Sequence, residues 1–231
     1  MHRENKLAEA SMEAGLGSAA VSRFPNAPPA IRALPVDPRG YPIPWFVGEL
    51  NGVRDFRVLH PSAIVKAARH NTCWICGRPL GRIKTFVIGP MCAVNRVSSE
   101  PPSHRICATF AAEACPFLTR PLARRRTAGL EDLEDCTAGI AIDRNPGVTL
   151  LWGCLRYTTF PSNGGILFDI GAPEDLRWYA HGRAATREEV MASITSGVPI
   201  LREVAEQDGP LAIADLDKAL ERALRLLPKA A

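Results

Sequence analysis

The side chains best placed to do chemistry in this sequence are cysteines. There are seven, and five of them, Cys73, Cys76, Cys92, Cys107 and Cys115, fall within one stretch that also holds His104. Cys136 and Cys154 stand apart. The sharpest spacing is Cys73-Trp74-Ile75-Cys76-Gly77, where two residues separate the sulfurs. A tight turn of that length places both thiolates on one side. The glycine after the second cysteine can take a positive φ without a Cβ clash. Two such thiolates are half of a tetrahedral zinc site, which needs four N or S ligands.

The second half has two readings. His104-Arg105-Ile106-Cys107 repeats the two-residue gap at the expected start of a helix. Positions three apart on a helix share a face, and a helix N-terminus favours thiolate charge. Cys92, after the turn-prone Gly89-Pro90-Met91, offers a different third ligand, giving Cys73, Cys76, Cys92 and Cys107. Cys115, just before Pro116, is placed less well, and a buried thiol packs as a small hydrophobe. The order Cys73, Cys76, strand, His104, Cys107 on a helix resembles a treble-clef zinc finger. Four protein ligands would leave no open position for water, so the metal would fold the module and not catalyse. An iron–sulfur cluster on the four cysteines would leave His104 idle. No βαβ pattern surrounds the pair as a redox C-x-x-C would require.

Outside this cluster the chemistry is thinner. Arg120, Arg124, Arg125 and Arg126 could form a phosphate-binding strip beside a zinc module. They could equally be a solvated linker neutralised by Glu131, Asp132, Glu134 and Asp135. Trp178, Tyr179, His181 and Arg183 gather around Gly182, a pattern that also fits core aromatics and a capping histidine. Asp169 follows a hydrophobic run. P-loop, G-x-G-x-x-G, H-E-x-x-H and G-x-S-x-G motifs are absent. His70, Asn71 and Asn95 do not make the spaced pattern of an HNH nuclease.

The elements that must position these residues follow from pattern. The chain has 231 residues, 46% hydrophobic, with a net charge of +4, and 23 of its 28 basic residues are arginine. It is long enough for one large domain or two small ones. No apolar run reaches membrane length, and the first residues lack the h-region of a secretory signal. A reducing, cytoplasmic compartment is expected, where cysteines bind metal more often than they pair. Residues 1–38, rich in Ala, Ser and Pro, read as a disordered arm with a short helix at 5–15. Residues 39–118 read as a β-hairpin turning at Asn51-Gly52, a helix capped by Ser62, and the zinc module, with a strand at 86–88 and a helix capped by Ser103. Residues 119–147 read as a charged linker. Residues 148–231 read as a strand pair at 149–152 and 166–170, a short helix from Pro173 to Gly182, a helix entered through the Thr186…Glu189 capping box, and an amphipathic helix at 213–227. The fold class is α+β: a hairpin plus zinc-knuckle module, then a small α/β part with C-terminal helices.

The strings RGYPIPWFV at 39–47, CWICGRPLG at 73–81, FVIGPMCAVNR at 86–96, EPPSHRICA at 100–108 and ACPFLTRP at 114–121 resemble an uncharacterised protein family of bacteria and their phages. The resemblance implies a bacterial or phage cytosolic protein and brings no known activity. Ile106 stands where that family carries an acidic residue before the helix cysteine. The function expected is a zinc-stabilised binding protein whose partner is nucleic acid or another protein. The rival is an enzyme, a nuclease or other hydrolase, with catalytic groups outside a structural zinc. An enzyme would show ionisable side chains lining a cleft; a nucleic-acid binder would lose affinity with salt.

Overall fold

A computed structural model describes residues 22–121, 145–162 and 165–229. The expected helix at 5–15 and Arg124, Arg125 and Arg126 lie outside these residues, as does the acidic run at 131–135.

The chain enters through a single helical turn, α1 (Pro29–Arg32). Pro29 suits that position because its missing N–H would have no partner in a first turn. Ile31 is 1% exposed and packs with Ile75, Leu80 and the cysteines. Residues 27–34 therefore belong to the folded body, where the sequence reading placed them in an arm. Buried Ala27 and half-buried Phe24, Ala30 and Leu34 pack on the same cluster, and Ile43 N–H donates to the Pro35 carbonyl (2.7 Å). Strands β1 (Val47–Leu50) and β2 (Val53–Leu59) form the expected antiparallel hairpin through Asn51 and Gly52, both with positive φ. Helix α2 (Ala63–His70) follows, ending on Asn71 in the left-handed region.

Next come β3 (Lys84–Ile88), α3 (Pro90–Asn95), the two-residue β4 (Val97–Ser98), α4 (Arg105–Ala114) and α5 (Pro116–Thr119). The C-terminal half supplies β5 (Val148–Cys154), β6 (Tyr157–Ser162), β7 (Gly165–Ile170), β8 (Pro173–Ala180), β9 (Arg183–Ala184), α6 (Arg187–Asp208) and α7 (Pro210–Leu224).

The sheet order corrects the division into separate parts. β3 pairs with β5, and β5 with β8, in one antiparallel sheet of order β3-β5-β8-β9. β4 joins β7 and β6 in a second sheet. A strand following the cysteine turn is thus an integral strand of the C-terminal body. Residues 149–152 do not pair with 166–170; each pairs elsewhere. β5 is buried along its whole length, as a largely apolar run is when both faces are covered.

The helix expected at 173–182 is instead β8. Its buried residues Trp178 and Ala180 recur at period two, and Pro173 is tolerated because it stands first in the strand. His181 and Gly182, both at positive φ, make the two-residue turn into β9. The capping box is present: the Thr186 hydroxyl accepts from the Glu189 N–H, and the Glu189 carboxylate accepts from the Thr186 N–H. α6 continues through Pro199 to Asp208. α6 and α7 cover the main core, where Phe86, Leu150, Trp152, Phe168 and Val190 are fully buried.

Candidate metal centre

Four segments converge on the cysteine turn. Trp45 N–H donates to the Ile75 carbonyl (2.8 Å), and Trp74 N–H to the Pro102 carbonyl (3.0 Å). An isolated antiparallel bridge joins Thr72 to Pro79, and another joins Thr85 to Ser103 through reciprocal N–H to carbonyl bonds of 2.9 and 2.7 Å. The second bridge fixes the start of α4 against β3 and so delivers His104 and Cys107 to the turn. Phe46 stacks on Trp74 with ring centroids 4.5 Å apart, backing the turn from the hairpin side.

Gly77 carries φ +71°, and a Cβ there would lie 2.7 Å from the Trp45 indole. Both backbone conformation and space require glycine at this position. Gly77 N–H donates to the Cys73 carbonyl (2.9 Å), closing the turn.

The Sγ atoms of Cys73, Cys76 and Cys107 and a ring nitrogen of His104 all lie within 4.8 Å of one another. The three thiols are buried. His104 is the N-cap of α4, one residue later than the Ser103 cap expected, and its side chain makes no capping bond. Its Nε2 lies 2.9 Å from the Pro79 carbonyl oxygen. A carbonyl only accepts, so Nε2 carries the proton and Nδ1 offers its lone pair to the cluster. Nδ1 is 3.4 Å from Cys76 Sγ and 3.9 Å from Cys107 Sγ. A tetrahedral ion with bonds of about 2.0–2.3 Å sets such atoms about 3.5–3.8 Å apart. The four residues form a cluster of three cysteines and one histidine capable of holding one metal ion.

Backbone donors complete the charge balance. The N–H groups of Cys76 (3.5 Å) and His104 (3.3 Å) point at Cys73 Sγ. Hydrogen bonds from the Cys107 and Cys76 thiols, then these amides, hold the Cys73 thiol far below its ordinary value. The same Cys73 contact pushes the Cys107 thiol far up. Three thiols this close cannot all ionise together without a cation among them.

Cys92, the alternative ligand, lies on α3 and packs against the main core, where burial pushes its thiol up. It is not in the cluster, because α3 turns away from the cysteine turn to sit under α6 and α7. Cys115 is the C-cap of α4. Arg120 is exposed. Trp178 is core, donating from Nε1 to the Leu226 carbonyl (2.9 Å). Arg183 pairs with Glu189 (2.7 Å), and His181 lies 4.0 Å from the same carboxylate. Asp169 is exposed and accepts from Thr158 (3.4 Å). None of these joins the metal cluster. The residues that sequence reasoning missed are Pro79, through its carbonyl, and Trp45, over Gly77. Neither has a local signal, since both act across turns whose geometry only the fold supplies.

Fold and site together define an α+β protein with a hairpin, a cluster of three cysteines and one histidine consistent with a treble-clef-like module, and C-terminal helices. Among the described residues, no helix is long and apolar enough to cross a membrane. Comparison with protein-family models, curated proteins and solved structures gave no match.

Proposed function

We propose that this chain is a zinc-stabilised binding protein of bacterial or phage origin, in which Cys73, Cys76, His104 and Cys107 hold a structural zinc. The observation that carries the reading is the arrangement of His104, oriented by Pro79 so that its free nitrogen faces three buried sulfurs. Zinc suits a mixed set of three sulfurs and one nitrogen at tetrahedral spacing, and all four positions are filled by protein. The ion would supply the positive charge that lets the thiols ionise together. The chain's own part is to present ligands through the Gly77 turn and the first turn of α4. A closed site gives folding energy and no reaction, so function lies in the surface the module displays. Nucleic acid or protein is the partner class.

Elemental analysis of the reduced, purified chain tests this. One zinc per chain is expected, lost together with module structure on strong chelation. A metal-free chain that keeps its structure in chelator, or a chain carrying iron and acid-labile sulfide, overturns it.

A further inference from the structure

The described residues divide unevenly in charge. Residues 22–121 carry 13 Lys and Arg against 5 Asp and Glu, a net of +8; residues 145–229 carry 9 against 11, a net of −2. Between Phe56 and Ser99 there is no acidic residue, while Arg57, Lys66, Arg69, Arg78, Arg82, Lys84 and Arg96 fall in that interval. The few acids nearby are already engaged: Asp37 with Arg39, Glu49 with Arg54 and Asp55 with Arg57. Lys66, Arg69, Arg78 and Arg82 are exposed, and none has an ion-pair partner among the described residues.

The fold sets the two segments that carry these four side by side. Lys66 and Arg69 lie one turn apart on α2, with His70 at its end. The Thr72 to Pro79 bridge, and the bond from Leu80 N–H to the Asn71 carbonyl (2.7 Å), set the end of α2 beside the loop carrying Arg78 and Arg82. A helix C-terminus accounts for Arg69 and His70, but Arg78 and Arg82 lie on no helix. Half-buried Trp45 lies against Gly77, next to Arg78 in the chain. Uncompensated like charge on a small module costs stability through self-repulsion, and a bound polyanion would remove that cost. Three arginines favour planar bidentate contacts with phosphate oxygens.

We propose that the face formed by Lys66, Arg69, Arg78 and Arg82 binds the phosphate backbone of nucleic acid. This rests on the reading of the module as zinc-folded and names its partner.

The test is anisotropy of a labelled DNA duplex and of its single strand, titrated with the zinc-loaded full chain. Neutralising four phosphates gives affinity a log–log salt slope of roughly −3 to −4 on the duplex. That is about a 100-fold loss between about 50 and about 200 mM salt. K66A/R69A/R78A/R82A, at parental zinc content, should lose most of that slope and at least tenfold in affinity at low salt. Should the fourfold variant fold poorly, R78A/R82A, outside any helix, should lose about half the slope. R222A/R225A on the acidic half should match the parent. Parental binding by the fourfold variant or by R78A/R82A overturns the proposal, as does no binding at low salt, or equal competition by polyglutamate, which would mark an acidic protein partner. Metal content is read separately, so failure of the zinc reading and failure of this surface give different results.

Discussion

The two halves of this molecule solve the problem of staying folded by different means. The C-terminal body closes over Phe86, Leu150, Leu151, Trp152, Phe168 and Ile170, all 2% exposed or less. Each such side chain contributes about 1.5–3 kcal/mol when fully buried. The cluster around the cysteines buries only three large aliphatics among the described residues, Ile31, Ile75 and Leu80, with half-buried Phe24, Leu34 and Phe110 packed against it. Its interior is occupied instead by three sulfurs and an imidazole. A metal ion held there would do the work that apolar volume does in the body, and would leave the exterior free to carry unpaired charge. The stacked Phe46 and Trp74 and the small Ala63 and Ala67 back the turn from the other side.

The comparison breaks most sharply at the ligands. A structural zinc supplies about 10–16 kcal/mol of apparent binding energy in small modules at neutral pH. Cys107→Ser should therefore release zinc and abolish the near-ultraviolet dichroism of the Phe46–Trp74 stack. Cys92→Ser should keep one zinc per chain and cost the body about 1–3 kcal/mol, as a hydroxyl placed among apolar neighbours does. Zinc loss in the Cys92 variant, or its retention in the Cys107 variant, would reverse the assignment of ligands.

Trp152→Ala probes the other half. It removes a fully buried ring and the bond from its Nε1 to the Gly171 carbonyl (3.0 Å). The expected cost is about 3–5 kcal/mol in urea unfolding, with zinc stoichiometry unchanged. Because β3 links cysteine turn and core sheet, zinc loss in step with body unfolding would show that the halves fold as one cooperative unit.

The cysteine turn was legible because its chemistry is local: two residues between sulfurs and a glycine after them. The place of His104 beside the cysteines was legible from the repeated gap before Cys107, but its orientation was not, since Pro79 reaches it only through the folded turn. Cys92 looked eligible because sequence cannot show that α3 turns into the main core. The hairpin at Asn51-Gly52 and the Thr186 capping box carry their instructions within a few residues, and both form. β8 was misread as a helix because Pro173 and the aromatics at 178–179 match a helix start as well as a period-two strand. The pairing of β3 with β5 spans more than 60 residues and has no local signature at all. The linking of the two halves was therefore invisible, and so was the packing of Ile31.

Gly77→Ala gives a smaller effect, confined to the metal half. Forcing φ +71° on a residue with a Cβ, 2.7 Å from the Trp45 ring, should cost about 1–3 kcal/mol. It should appear as weaker zinc retention against a competing chelator, with the urea midpoint of the body unmoved. Equal zinc affinity in parent and variant would mean that the turn relaxes freely and that Trp45 is not a support.

The smallest expected effects lie at the start of α6, and they separate the halves by acid. Thr186→Ala removes one side of the capping box and should cost about 1 kcal/mol in the body's unfolding, without change in zinc affinity. Glu189 is held down to about 2, first by its hydrogen bond from Arg183 and then by the Thr186 N–H. A depressed carboxylate stabilises the fold fully above its unfolded value near 4.5, and that contribution declines progressively as pH falls from there and is gone once pH has passed through about 2. Zinc held by thiolates is displaced by protons at higher pH. An acid titration should therefore release zinc in a first step, read with a chromogenic chelator, while the Glu189 carboxyl, followed by NMR, remains ionised. Protonation of Glu189 together with zinc release would mean that the cap depends on the metal half, and that the two regions are not stabilised independently.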